Sequence, residues 1–119
     1  MKILFVDDSE LAKEMFLHGT KDLNHEIITV KNGKEAIDII TNDLPDLIVT
    51  DVLMPLVTGI ELISWVRENY SDKIKIIVTT SLNDEDVLLE AFSLGVDDFV
   101  TKPIDYKDLS LRIERFTFN

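Results

Sequence analysis

The sequence predicts an α/β fold: a (βα)5 doubly wound parallel sheet, strand order 2-1-3-4-5, with helices on both faces. Two observations carry this reading. Five short apolar runs rich in β-branched residues alternate, at near-regular spacing, with five stretches of helical spacing, and no linker or low-complexity segment interrupts them. The runs also read as apolar throughout rather than alternating, the pattern of strands buried on both faces under right-handed βα crossovers. A two-sided layout of this kind predicts the 2-1-3-4-5 order, with residues 1–119 as a single domain.

Taken in order, Ile3–Val6 is the first strand, and helical spacing begins after Ser9 with Leu11, Ala12, Met15, Phe16 and Leu23. Asp8 or Ser9 is placed to cap that helix, and Gly19 weakens it by about 1 kcal/mol. Ile27–Val30 is the second strand. Asn32-Gly33 makes the turn into a helix with Ala36, Ile37 and Ile40 on its apolar face, and Leu44-Pro45 ends that helix. Leu47 to Thr50 is the third strand; it closes on Asp51, and Pro55 prevents its continuation. Thr58 and Glu61 form a T-x-x-E capping pair for a helix carrying Ile60, Ile63 and Val66. Ile74–Thr80 is the fourth strand. Asn83 caps a fourth helix that has Asp84, Glu85 and Asp86 in its first turn and buries Val87, Leu88, Ala91 and Leu94. Gly95 falls at its C′ position. Phe99–Thr101 is a short fifth strand ended by Lys102-Pro103, and a last helix presents Leu109, Ile113 and Phe116.

Composition narrows the function. The chain has no Cys, which excludes disulfides and thiolate metal sites. No apolar run has the length of a membrane span, and the Met1–Val6 run is cut short at Asp7 and Asp8, too early for a signal peptide. A cytoplasmic protein with no membrane partner is expected. A net charge of −11 argues against direct binding to nucleic acid and suits cationic partners, metal ions among them.

In the predicted fold the carboxyl ends of strands 1, 3, 4 and 5 open onto one crevice. They deliver Asp7 and Asp8, Asp51, Thr80 and Lys102. Taken singly, each is a capping acid, a solvated lysine or a β-branched filler; at four successive strand ends they make a site. Two like charges ~4 Å apart cost about 4 kcal/mol at an effective dielectric of 20, so such a cluster requires a compensating cation. Mg²⁺, a hard ion bound by one or two carboxylates and waters, is the natural choice. With Mg²⁺ and Lys102 present, the three carboxylates are neutralised and the crevice can accept a phosphoryl group. Asp51 is the expected nucleophile, Lys102 a point charge on a phosphoryl oxygen, and the Thr80 hydroxyl a donor to another.

Those residues give the chain its resemblance to the CheY-like receiver domains of two-component response regulators, over essentially its whole length. The matching pieces are Val6-Asp7-Asp8, Asn32-Gly33-Lys34-Glu35-Ala36, Pro45-Asp46-Leu47, Asp51-Val-Leu-Met54-Pro55, Gly59, Thr80-Ser81 and Lys102-Pro103. The strand order is that of this family, so topology and resemblance are one expectation, not two. The resemblance implies phosphorylation of Asp51 by a histidine kinase or phosphotransfer protein. It also implies Mg²⁺ held by Asp8, Asp51 and the Leu53 carbonyl, with Asp7 acting directly or through water. A cis Lys102-Pro103 bond goes with it, as do Thr80 and Phe99 as the pair that moves on activation. The effector surface would be the helix 4–strand 5–helix 5 face. Phe99 stands where some relatives have Tyr, and Thr58 where many have Asp. In such receivers two positions orient the hydrolytic water, and here they are Leu53 and Leu82, which implies slow autodephosphorylation. No enzymatic turnover beyond self-phosphorylation from small donors is expected.

The rival readings are weaker. A phosphatase of the haloacid-dehalogenase type uses an acid two residues after its nucleophile, where this chain has Leu53. A flavodoxin-type FMN carrier uses a Ser/Thr/Gly-rich loop after strand 1, where Asp7-Asp8 would repel phosphate. A degenerate receiver acting as a constitutive adaptor conflicts with the intact acid, Thr80 and Lys102 set. His18 and His25 read as solvated residues, not phosphodonors.

Overall fold

A computed structural model describes residues 1–54, 56–81 and 85–118. Its five-stranded parallel sheet has the order β2-β1-β3-β4-β5. The strands are β1 (Lys2–Val6), β2 (Glu26–Val30), β3 (Leu47–Asp51), β4 (Lys75–Thr80) and β5 (Asp98–Thr101). The helices are α1 (Glu10–Thr20), α2 (Gly33–Asn42), α3 (Gly59–Tyr70), α4 (Glu85–Ser93) and α5 (Tyr106–Arg115). The expected fold class is therefore the observed one. Among the described residues no helix is long and apolar enough to cross a membrane.

Strand alternation divides the core into two layers. Leu4, Val6, Ile48, Ile76 and Val78 face one side, where Ala36 and Ile40 of α2, Leu62, Ile63 and Val66 of α3, and Ala91 of α4 cover them. Ile3, Phe5, Leu47, Val49, Ile77 and Val100 face the other, under Phe16 of α1 and Leu109 and Ile113 of α5. The sheet centre is thus buried on both faces, which is why its strands read as unbroken apolar runs.

The helix boundaries follow local chemistry. Ser9 rather than Asp8 caps α1, accepting the Ala12 N–H. Asn32 caps α2, and Thr58 and Glu61 complete a reciprocal capping box on α3. Asp105, not foreseen as a cap, accepts the Lys107 and Asp108 N–H groups at α5. Gly95 takes φ +91, and the N–H groups of Gly95 and Val96 return to the carbonyls of Phe92 and Ala91, a Schellman closure of α4. Arg67 holds that corner to α3 by donating to the carbonyls of Ser71, Ile74 and Gly95 and pairing with Asp97 at 3.0 Å. The cap expected from Asn83 and the first-turn Asp84 lie outside the described residues, as does Pro55.

Three expectations are corrected. The first helix does not run to Leu23: it ends at Thr20, a 3-10 turn spans Lys21–Leu23, and Asn24 turns the chain at φ 59. Leu11 and Met15 do not reach the core; they are 66% and 48% exposed. The buried stripe of α1 runs through Ala12, Phe16 and Thr20, with Phe16 stacked on Phe5 at 4.2 Å between ring centroids, so the stripe one residue earlier faces outward. His25 is not solvated: its Nε2 lies 2.6 Å from Glu114 Oε1 on α5 and its Nδ1 2.9 Å from the Met1 amino group, a bridge across the amino-terminal ends of the strands. His18 is exposed, as expected.

Candidate phosphoryl-acceptor site

β1, β3 and β5 deliver their polar residues because each strand ends as its apolar run does. Asp7 directly follows β1, Asp51 is the last residue of β3, and Lys102 follows β5. One carboxylate oxygen from each of Asp7, Asp8 and Asp51 lies within 4.8 Å of the others. Asp7 is buried, with a side chain only 1% exposed, and its Oδ1 accepts the Ser9 N–H at 3.0 Å. Lys102 Nζ sits between the two inner acids, 2.9 Å from Asp51 Oδ2 and 3.3 Å from Asp7 Oδ2. Asp8 is exposed and has no ion-pair partner among the described residues.

This charge arrangement sets the electrostatics. Burial disfavours the Lys102 ammonium, but the hydrogen bond to Asp51 and the charges of Asp51 and Asp7 outweigh that cost and raise its pKa. Its contribution to stability is therefore fully present below its unfolded pKa near 10.5 and is lost only as pH rises through the higher folded value. The Tyr106 phenol is also pushed up, by burial first and then by the charge of Asp7, against a smaller opposing effect of Lys102. Three carboxylates against one ammonium leave the cluster net negative and made of hard oxygen donors, which fits a small divalent cation such as Mg²⁺.

The β3–α3 loop is fixed by close packing. Gly59 opens α3 against the end of β3, where an added Cβ would lie 2.2 Å from the Asp51 carbonyl oxygen and 2.6 Å from Val52 Cα. The Gly59 N–H donates to Val52 O at 3.0 Å, and the Leu53 N–H donates to Asp51 Oδ1 at 3.3 Å. Leu53 itself is 58% exposed. Cis geometry is present at Lys102-Pro103.

Thr80 ends β4 beside the cluster but is not joined to it. Its buried hydroxyl donates to the Ser81 carbonyl at 3.1 Å. By alternation with Val78, it belongs to the α2–α3–α4 side of the sheet, as does Phe99 of β5. Phe99 is half-buried and meets the Phe92 ring of α4 edge-on at 5.4 Å. Sequence reasoning found Phe99 but not Phe92, nor Tyr106, nor Thr79, which is in register with Asp51. Phe92 and Tyr106 carry no signal beyond ordinary apolar helix positions. Thr79 falls inside the fourth predicted strand.

Known proteins agree with this geometry. Residues 3–114 match the response regulator receiver domain family. The transcriptional regulatory protein CrdR of Helicobacter pylori is 31% identical over 115 residues, covering 97% of this chain and 54% of that protein. The alkaline phosphatase synthesis transcriptional regulatory protein PhoP of Bacillus subtilis is 31% identical over 113 residues, covering 95% of this chain and 47% of that one. The chain thus spans about half the length of these curated relatives. Among solved structures, the chemotaxis response regulator CheY4 of Vibrio cholerae superposes with a TM-score of 0.87 at 29% identity, covering 97% of both chains. The signal receiver domain of a signal transduction histidine kinase from Syntrophus aciditrophicus gives 0.88 at 33% identity, covering 97% of this chain and 88% of that one. The match spans nearly every residue from β1 to the end of α5, and the chain belongs to the response regulator receiver domain family.

Proposed function

We propose that this domain is a phosphoryl-accepting switch of a two-component pathway, with Asp51 as the acceptor. The observation that carries the reading is the Lys102 ammonium seated between Asp51 and Asp7, with Asp8 close by and unpaired among the described residues. In the transfer, an Asp51 carboxylate oxygen forms a bond to phosphorus as the phosphorus–nitrogen bond of a phospho-His donor breaks. The imidazole keeps that bond's electron pair and takes up a proton. Asp7, Asp8, Asp51 and the Leu53 carbonyl would hold Mg²⁺, which supplies neutralisation of phosphoryl charge when bound. Lys102 takes one phosphoryl oxygen as a point charge. Thr80 turns its hydroxyl from the Ser81 carbonyl to another.

That turn couples the site to an output face. Thr80 and Phe99 share one side of the sheet, and Phe99 abuts α4 through Phe92, so vacating the Thr80 position lets the Phe99 ring move inward. The α4–β5–α5 surface then changes shape for an effector. The donor is a histidine kinase or phosphotransfer protein. With a net charge of −11, output through protein contact suits this domain better than direct contact with nucleic acid.

Intact-mass measurement after incubation with Mg²⁺ and acetyl phosphate tests the assignment. One added phosphoryl group is expected on the wild type and none on Asp51→Asn. Equal labelling of that variant would remove Asp51 from its role.

A further inference from the structure

Neither the fold nor the proposed switch assigns a task to the hydroxyl of Thr79. The residue is fully buried, and its Oγ1 has no hydrogen-bond partner among the described residues. Valine would fill the same space without leaving a polar atom unsatisfied, so the hydroxyl calls for an explanation. Its position offers one. β4 lies between β3 and β5, and Thr79 is in register with Asp51 on one side and Val100 on the other. Alternation puts Thr79 on the sheet face of Ile77 and Val100, the face that α1 and α5 cover, and Lys102 follows the end of β5 and lines a groove with Ala12 and Tyr106 of those helices. The Lys102 ammonium meets Asp51 at the end of β3, so its side chain spans the position of β4, the strand between them. An ammonium has three N–H donors, and Asp51 and Asp7 engage two of them.

We propose that Thr79 is a positioning residue for Lys102 during phosphoryl transfer. As the ammonium leaves the Asp51 carboxylate for an oxygen of the arriving phosphoryl group, Thr79 Oγ1 accepts one of its N–H bonds and holds it over β4. Lys102 keeps its proton throughout, and Thr79 touches neither phosphorus nor donor. The inference rests on Asp51 being the phosphoryl acceptor.

The test compares initial rates of Asp51 phosphorylation by acetyl phosphate in Mg²⁺ for the wild type, Thr79→Val and Thr79→Ser, and for Thr79→Val in a Lys102→Ala background. Loss of one hydrogen bond predicts that Thr79→Val slows transfer about fivefold, while Thr79→Ser restores the rate. Without Lys102, the valine substitution should have no further effect, because the hydroxyl acts only through that side chain. In thermal melts of the unphosphorylated protein, Thr79→Val should be at least as stable as the wild type, a result that separates positioning from a structural role. Should the valine variant not fold, Thr79→Ser against Thr79→Ala gives the same comparison. Wild-type rates in Thr79→Val, or equal slowing with and without Lys102, overturn the inference and leave the Asp51 assignment standing. A wild type that takes no phosphoryl group on Asp51 overturns that assignment instead.

Discussion

Asp8 is the surplus charge of the crevice, since Lys102 pairs with Asp51 and Asp7 and leaves it unpaired among the described residues. Its exposure lets water screen much of the repulsion, so Asp8→Asn is expected to stabilise the metal-free protein by roughly 1 kcal/mol or less. A thermal melt in EDTA in which the variant is less stable than the wild type would show that the acids do not repel there. A second residue-scale expectation concerns the lifetime of the phosphorylated state. Hydrolysis needs a water held in line with the Asp51–phosphorus bond, and an apolar side chain cannot aim one. Leu53 stands beside the acceptor, and Leu82, outside the described residues, is the other position of this kind. Leu53 is 58% exposed, so slow hydrolysis, if found, would rest on the missing hydrogen bond more than on shielding of the site. Phosphorylated wild type should persist for minutes to hours after donor removal. The Leu53→Asn, Leu82→Glu double variant should decay roughly tenfold faster, a change of about 1.4 kcal/mol in the barrier. A wild-type half-life of seconds, unaltered in that variant, would show that these positions do not set the clock.

At the scale of elements, α4, β5 and α5 carry the proposed output. α4 is joined to β5 by the Phe92–Phe99 contact, and β5 to α5 by Asp98, which pairs with Arg112 at 2.7 Å and Arg115 at 3.1 Å. In the proposed switch a displacement of Phe99 would reach α4 directly through Phe92 and α5 through the neighbouring Asp98. Amide shifts on adding beryllofluoride with Mg²⁺ should cluster between residues 80 and 116. Changes restricted to the loops around Asp8 and Asp51 would mean that binding is not transmitted. The apolar residues of α1 do not all face the core. Its outward Leu11 and Met15 line a groove with Pro103, Ile104 and Tyr106 instead of entering the core. Tyr106 reaches this helix at Gly19, where an added Cβ would come within 2.6 Å of the phenol ring. Gly19 therefore weakens the helix locally and makes room for α5.

For the whole molecule, a cation bound at the carboxylate cluster would be linked to folding. A ligand that binds only the native state adds RT ln(1 + [L]/Kd), about 2.7 kcal/mol at a hundredfold excess over Kd. Mg²⁺ should accordingly raise the wild-type melting temperature over that in EDTA, and raise it less in Asp8→Asn, which lacks one carboxylate of the cluster. Equal shifts in both proteins would place the bound cation away from Asp8.

Much of this protein is determined by its sequence alone. Runs such as Leu47–Thr50 are apolar at every position because both sheet faces are covered, and that pattern is visible before any contact is known. The caps at Ser9, Asn32 and Thr58 and the Gly95 turn are local chemistry, legible for the same reason. The candidate site was legible too, because strand ends converge by topology: Asp7, Asp51 and Lys102 follow from where three apolar runs stop. What the tertiary structure alone decided depends on pairs far apart in the chain. Which stripe of α1 is buried was settled by Phe16 meeting Phe5, and His25 was buried by Glu114 some ninety residues away in sequence. In the sequence Thr79 is any strand threonine; the β3–β4 register sets it beside Asp51 with its hydroxyl unpartnered among the described residues. Periodicity assigns a residue to a face, but only packing supplies, or withholds, the partner it finds there.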